Sequence, residues 1–88
     1  MNIKFESRFE KDLRHIKEAN ILSKLKKVLF ECKESDTLRD IKGLKKLKGY
    51  DNFYRIRIGD YRIGIEFSEG VLIFTRLLHR KEIYKFFP

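Results

Sequence analysis

Tyr54-Arg55-Ile56-Arg57-Ile58-Gly59-Asp60-Tyr61-Arg62-Ile63-Gly64-Ile65-Glu66-Phe67 alternates apolar and polar residues on both sides of Gly59-Asp60. That alternation is the period of a half-buried strand. A Gly-X pair between two such runs supplies the positive φ of a type II′ turn, so the stretch reads as a β-hairpin. The two-residue loop fixes the register: Ile58 opposite Tyr61, Arg57 opposite Arg62, Ile56 opposite Ile63, Arg55 opposite Gly64. One face then carries Tyr54, Ile56, Ile58, Tyr61, Ile63 and Ile65 and is core. The other carries Arg55, Arg57 and Arg62, where like charges facing each other cost roughly 0.2–1 kcal/mol per pair. An anionic ligand relieves that repulsion; a solvated face with the guanidinium groups splayed into water is the competing reading.

The remaining composition weighs toward the ligand. At 88 residues the chain accommodates one domain, 1–88, with a single modest core. Its charged (39%) and hydrophobic (42%) fractions are those of a globular protein. Lys and Arg number 21 against 13 acidic residues, giving +8 and a pI near 9.7. Such an excess implies a polyanionic partner: nucleic acid first, then an anionic membrane surface or an acidic protein. The single cysteine, Cys32, excludes an intrachain disulfide framework and a clustered thiolate metal site, and fits a reducing cytoplasm. No stretch approaches the roughly 20 apolar residues of a membrane span, and no export signal is visible.

Before the hairpin, Asn2 to Phe5 reads as a short strand. Ser7-Arg8-Phe9-Glu10 matches a capping box opening a helix that carries Phe9, Leu13 and Ile16. Ala19-Asn20 is the expected break. Ile21, Leu22, Leu25, Val28, Leu29 and Cys32 then form a second helical stripe, with Cys32 in the core. The two helices are expected as an antiparallel pair, each facing a sheet. Residues 35–50 read as a basic connector containing Lys42, Lys45, Lys46 and Lys48, punctuated by Gly43 and Gly49. After the hairpin, a three-residue turn Ser68-Glu69-Gly70 leads to a strand Val71 to Leu78 with Val71, Ile73 and Leu77 inward and Arg76 beside Arg62. A final helical turn with Ile83 and Phe87 inward brings Arg80 and Tyr84 back to the basic face. The fold class expected is α+β: a small antiparallel sheet, ordered β-α-α-β-β-β plus a short helix, with two helices on one face.

There is no glycine-rich phosphate loop, no paired histidine ligands and no GxSxG, so neither cofactor nor metal is expected. The sequence instead concentrates cations and phenols: Lys46, Lys48, Arg55, Arg57, Arg62, Arg76 and Arg80, with Tyr54, Tyr61, Tyr84 and His79. Arginine forks grip phosphate, aromatic rings stack on unpaired bases, and a guanidinium over a scissile phosphate stabilises a phosphorane. RNA carries its own nucleophile in the 2′-OH, so such a set can also cleave it.

Leu47-Lys48-Gly49-Tyr50, Tyr54-Arg55-Ile56-Arg57, Gly59-Asp60-Tyr61-Arg62-Ile63 and His79-Arg80-Lys81-Glu82-Ile83-Tyr84, in this order and spacing, resemble the RelE/ParE toxin superfamily of bacterial and archaeal type II toxin–antitoxin systems. The resemblance covers nearly the whole chain. It implies a ribosome-dependent endoribonuclease that cuts A-site mRNA and inhibits translation. It further implies silencing by a cognate antitoxin, with operator DNA bound only through the antitoxin complex. By the same resemblance Arg62 matches the phosphate-stabilising arginine, Arg80 and Tyr84 match the C-terminal arginine and tyrosine, and Lys46 and Lys48 sit where lysines contact RNA and assist deprotonation. The catalytic place stays open between Arg76 and Arg80. Arg55, Arg57, Arg76, His79, Lys42 and Lys45 are the expected RNA contacts. Each candidate also has a plain structural reading: Arg57 as a solubilising edge charge, His79 as a strand-end residue, Tyr84 as a packing phenol. ParE-like relatives with the same fold poison DNA gyrase, which is the alternative function, and a non-catalytic RNA-binding module is a third.

Overall fold

The computed structural model describes residues Met1–Pro88. Its elements are β1 (Asn2–Phe5), α1 (Ser7–Arg14), α2 (Ala19–Glu34), β2 (Lys45–Lys46), β3 (Phe53–Ile58), β4 (Tyr61–Ser68), β5 (Val71–His79) and α3 (Ile83–Phe86). The strands form one sheet in the order β1-β5-β4-β3-β2, an α+β arrangement. The hairpin β3–β4 has the register its turn dictates: Ile58 pairs with Tyr61, Arg57 with Arg62, Ile56 with Ile63 and Arg55 with Gly64. Gly59 sits at φ +59°, the left-handed region a type II′ turn needs at its first central residue. Ile56, Ile58, Ile63 and Ile65 are buried against Ile21, Leu25 and Cys32 of α2 and Phe9 of α1.

The sheet departs from the sequence expectation in three places. β1 pairs with β5 in parallel, so the sheet is not wholly antiparallel. The basic connector contributes a fifth strand: Lys45 pairs with Arg55 and Lys46 with Tyr54. The β4–β5 loop is the two-residue Glu69-Gly70, both at positive φ, with Ser68 opposite Val71. This shorter turn places Leu72 and Phe74 on the core face in place of Val71 and Ile73. A bulge then shifts the register between Gly64 and Ile65, leaving Thr75 unpaired in the ladder with its hydroxyl donating to the Gly64 carbonyl at 3.0 Å. The extra residue reverses the alternation, so Leu77 faces the core opposite Ile63 and Arg76 lies opposite Gly64 on the other face. The expected orientations of Leu77 and Arg76 are thus reached by a bulge, not by a longer loop.

The helix boundaries also differ. α1 starts one residue earlier than a Ser7 cap requires. Glu6 takes the cap position without a side-chain bond, so the Ser7/Glu10 capping box is not made. The Glu6 amide instead donates to the Phe74 carbonyl at 2.9 Å, tethering the helix start to β5. The break falls at residues 15–18, and Ala19 and Asn20 open α2. α2 runs across the sheet: Ile21 lies by the Gly59 turn, and at the far end Met1 N donates to the carbonyls of Lys33 (2.9 Å) and Ser35 (2.8 Å). Cys32 is fully buried in this layer, and burial first, then the Glu31 carboxylate, pushes its thiol up to about 11. It is a protonated core residue at neutral pH.

Beyond Phe5 no strand continues alongside β5, and that edge is closed by a side chain. Asp12 of α1 accepts from the Leu77 amide (2.9 Å) and from Arg76 Nε (2.8 Å) and Nη2 (3.1 Å). The Asp12 hydrogen bond raises the Arg76 pKa against the opposing effect of burial. Removing one partner of a largely buried pair strands the other, so Asp12→Ala is expected to cost about 3 kcal/mol. The exposed neighbour Glu10→Ala should stay within about 0.5 kcal/mol of the parent. Urea unfolding of both variants checks this; equal midpoints would show that Asp12 does not hold the edge.

Candidate functional site

The sheet face opposite α1 and α2 is built around the hairpin turn. Arg55, Arg57 and Arg62 share it, and none of the four ion pairs in the chain involves them. Arg62 Nη1 donates to the carbonyls of Gly59 and Tyr61, both at 3.0 Å, which fixes its guanidinium at the turn and leaves its remaining donors for a ligand. Arg80 is anchored to the same turn: its amide donates to the Asp60 carbonyl at 2.8 Å and its Nε lies 3.8 Å from Asp60 Oδ1. Burial lowers the Arg62 pKa, and the charges of Arg57, Arg55 and Arg80 lower it further, while Tyr84 acts in the opposite sense. These five side chains therefore share one electrostatic field. Its unrelieved positive charge suits a phosphate.

Tyr84 reaches this face because α3 folds back onto it. Ile83 and Phe87 are buried, and the Phe87 ring lies over Gly64, so close that a Cβ on Gly64 would stand 2.7 Å from it. Phe87 also packs edge-to-face on Phe53, with centroids 5.6 Å apart. Between the turn of residues 47–50 and α3 lies a cavity of about 340 Å³ lined by Leu47, Lys48, Tyr50, Tyr84, Phe87 and Pro88. Sequence reasoning missed its aromatic wall; the signal was Tyr50 and Phe53 at a spacing of three, which pack at 5.6 Å.

Among the predicted site residues, the structure brings together Arg55, Arg57, Arg62, Arg80 and Tyr84, with Lys48 at the adjoining cavity. Lys45, opposite Arg55, shares their face by register. Three others lie elsewhere. Lys46 pairs with Tyr54 and so belongs to the helix-covered side. His79 pairs with Tyr61 on that same side, its ring edge-to-face on the tyrosine at 5.5 Å, and its Nδ1 accepts from the Lys81 amide at 3.2 Å. Tyr61 in turn donates to Glu18 at 3.2 Å. Lys42 follows the α2–β2 connection, its amide donating to Glu31 at 2.8 Å. Arg76 faces the same way but is held at 2.8 Å by Asp12, whereas Arg80, 3.8 Å from the exposed Asp60 carboxylate, is the one of the two whose charge acts on Arg62.

The chain matches, over residues 3–84, the family model described as the ParE toxin of the type II toxin–antitoxin system parDE. The chain belongs to the RelE/ParE family of type II toxins. Over their full lengths it is 48% identical to Toxin RelE3 of Methanocaldococcus jannaschii. Its fold is similar to the toxin in the crystal structure of the RelB-RelE antitoxin–toxin complex from Methanococcus jannaschii, with a TM-score of 0.80 and 48% identity, covering 97% of this chain and 99% of that one. The intact E. coli RelBE complex gives 0.69 over 89% of this chain and 94% of that chain at 23% identity, a likeness of fold alone. No helix of this RelE/ParE toxin is long and apolar enough to cross a membrane.

The placement of Tyr84 depends on the missing side chain at position 64. Gly64→Ala is expected to expel the Phe87 ring and cost about 1–3 kcal/mol through overpacking. The thermal midpoint should fall, and the amide resonances of Ile83 and Tyr84 should move toward those of an undocked segment. An unchanged midpoint and spectrum would refute the docking role of Gly64.

Proposed function

We propose that this toxin is a ribosome-dependent endoribonuclease that cuts mRNA in the A site and thereby inhibits translation. The observation that carries the reading is Arg62, fixed by two backbone carbonyls among Arg55, Arg57 and Arg80 with no carboxylate partner of its own. Supporting it is the 48% identity to a protein named Toxin RelE3. Arg55, Arg57 and Arg62 grip the scissile phosphate. The ribose 2′-oxygen attacks phosphorus while its proton passes to a water molecule and the Lys48 ammonium stabilises the charge developing on that oxygen, and the bond to the 5′-oxygen breaks. Arg62 and Arg80 meet the charge that grows on the phosphoryl oxygens, and the Tyr84 hydroxyl donates a hydrogen bond to the leaving 5′-oxygen. Arg55 and Arg57 take the gripping place expected of Lys46. The ribosome supplies the mRNA in a fixed geometry, which is the larger part of an in-line attack.

The partner follows from the same face. The M. jannaschii relative crystallised with RelB, and a basic surface kept from RNA is matched by an acidic, partly disordered chain that folds as it binds. A RelB-like antitoxin is the proposed inhibitor, and operator DNA is reached only through that complex. A gyrase-directed toxin, the alternative, would trap gyrase cleavage complexes and leave mRNA intact.

Two measurements test the reading. Cleavage of A-site mRNA is expected to persist after EDTA treatment, with ribosome integrity kept by a polyamine, and to leave a 2′,3′-cyclic or 3′-phosphate; a 3′-hydroxyl end would refute attack by the 2′-OH. Arg62→Ala should lower the single-turnover rate at saturation about 10²–10³-fold. Its thermal midpoint should stay near the parent's, because relief of the Arg57 repulsion offsets the two lost carbonyl bonds. Arg55→Ala should mainly weaken ribosome binding and flatten its salt dependence. Parental cleavage by saturated Arg62→Ala would reduce Arg62 to a tether.

A further inference from the structure

β5 ends on His79, where the chain turns toward α3, and three consecutive backbone amides of that turn each have an acceptor. The Arg80 amide donates to the Asp60 carbonyl at 2.8 Å, the Lys81 amide to Nδ1 of the His79 imidazole at 3.2 Å, and the Glu82 amide to the His79 carbonyl at 2.8 Å. Arg80 is thus enclosed: the residue before it supplies, from its ring and its carbonyl, the acceptors for the two amides after it. A side chain that accepts from the amide two residues on is the device by which Asn and Asp hold turns. Histidine can act in the same way because Nδ1 stands as many bonds from the backbone as the Oδ1 of an asparagine. While it accepts, that nitrogen carries no proton.

The imidazole is itself held from the helix-covered side. Its ring lies edge-to-face on Tyr61 at 5.5 Å, and the Tyr61 hydroxyl donates to Glu18, between α1 and α2, at 3.2 Å. Ile21 of α2 backs the same turn, with its Cδ1 3.0 Å from where a Cβ on Gly59 would stand. On the open side, the Gly59 and Tyr61 carbonyls receive Arg62 and the Asp60 carbonyl receives the Arg80 amide. Side chains on one side of the sheet therefore fix the backbone that aims both arginines on the other.

We propose that His79 is a positioning residue for Arg80. By accepting from the Lys81 amide, its Nδ1 closes the turn that presents the Arg80 guanidinium beside Arg62, and His79 does so without touching RNA. The inference rests on the nuclease reading of the arginine face and gives His79 a task other than the RNA contact expected from its place in the sequence.

Two variants of the full chain separate the acceptor from the ring. His79→Phe keeps an aromatic ring against Tyr61 and removes the acceptor; His79→Asn keeps an acceptor at the same bond distance and removes the ring. His79→Phe should lower the single-turnover cleavage of A-site mRNA at saturation about five- to tenfold while ribosome affinity stays within about twofold, as when one hydrogen bond that orients a reacting group is lost. Its thermal midpoint should stay near the parent's. His79→Asn should restore the rate at a lower thermal midpoint, because the aromatic contact with Tyr61 is gone. A rate that follows the acceptor while stability follows the ring is a crossing that a merely structural histidine does not produce. Hydrogen exchange reads the turn without RNA: the Lys81 amide should exchange about tenfold faster in His79→Phe than in the parent or His79→Asn. Equal saturated rates in the parent and His79→Phe, a His79→Asn rate no better than that of His79→Phe, or a Lys81 amide that exchanges alike in all three overturns the role. Absence of cleavage by the parent removes the nuclease reading, and the exchange pattern then decides the turn around Arg80 by itself.

Discussion

Three guanidinium groups on adjacent strands, none of them in an ion pair, are the constraint around which this fold is arranged. Arg57 and Arg62 face each other directly and Arg55 lies two pairs away along the ladder, on the same face, a pattern the sheet tolerates only because the opposite face is packed without reserve. Ile56, Ile58, Ile63 and Ile65 are all at most 3% exposed. At roughly 1.5–3 kcal/mol for each buried aliphatic side chain, that face outweighs a like-charge repulsion of about 1 kcal/mol several times over. Where an arginine elsewhere would have disturbed the fold, it is neutralised: Arg76 is bound by Asp12. Asp12 is spent on structure while Arg55, Arg57 and Arg62 are left without an ion pair, which is the distribution expected of a surface kept ready for an anion.

The same hairpin explains how much could be read from sequence. The Gly59-Asp60 turn and the alternation around it determine each β3–β4 pair, because a two-residue loop leaves no freedom of register. The β4–β5 pairing is different in kind. Glu69-Gly70 and Ser68-Glu69-Gly70 are both admissible turns, and weighing the burial of Arg76 selects the longer one only if the strand is regular. The Thr75 bulge makes the shorter loop work, and a bulge has no local sequence signature beyond the glycine opposite it. The Asp12 edge cap was illegible for a related reason: it bridges residues 64 apart, and nothing within α1 distinguishes Asp12 from the exposed acids beside it.

Register also decides which site residues could be found. Arg62 follows from the well-determined hairpin and sits where the alternation puts it. Lys45 and Lys46 are adjacent and chemically equivalent, but one step along a strand exchanges the two faces of a sheet, and a two-residue strand in a basic connector offers no apolar pattern to orient it. His79 and Arg80 differ in the same way. His79 is the last strand residue and falls on the helix side with Tyr61, while Arg80 begins the turn and is drawn to Asp60 on the other.

Tyr84 has a different kind of dependence, since α3 is only four residues long and too short to be stable by itself. Its position is imposed from the sheet. Phe87 is seated on Gly64, and Phe86 lies 5.8 Å from the Arg76 guanidinium, which Asp12 holds in turn. Tyr84 stands between Ile83, buried in the body, and these two contacts, so its place is set by side chains before and after it and not by its own interactions. A bulge in β5, a glycine in β4 and a carboxylate in α1 therefore act on one point. They hold a phenol on the arginine face without any of them touching it, which is how a chain with a single small core positions an exposed group on its final turn.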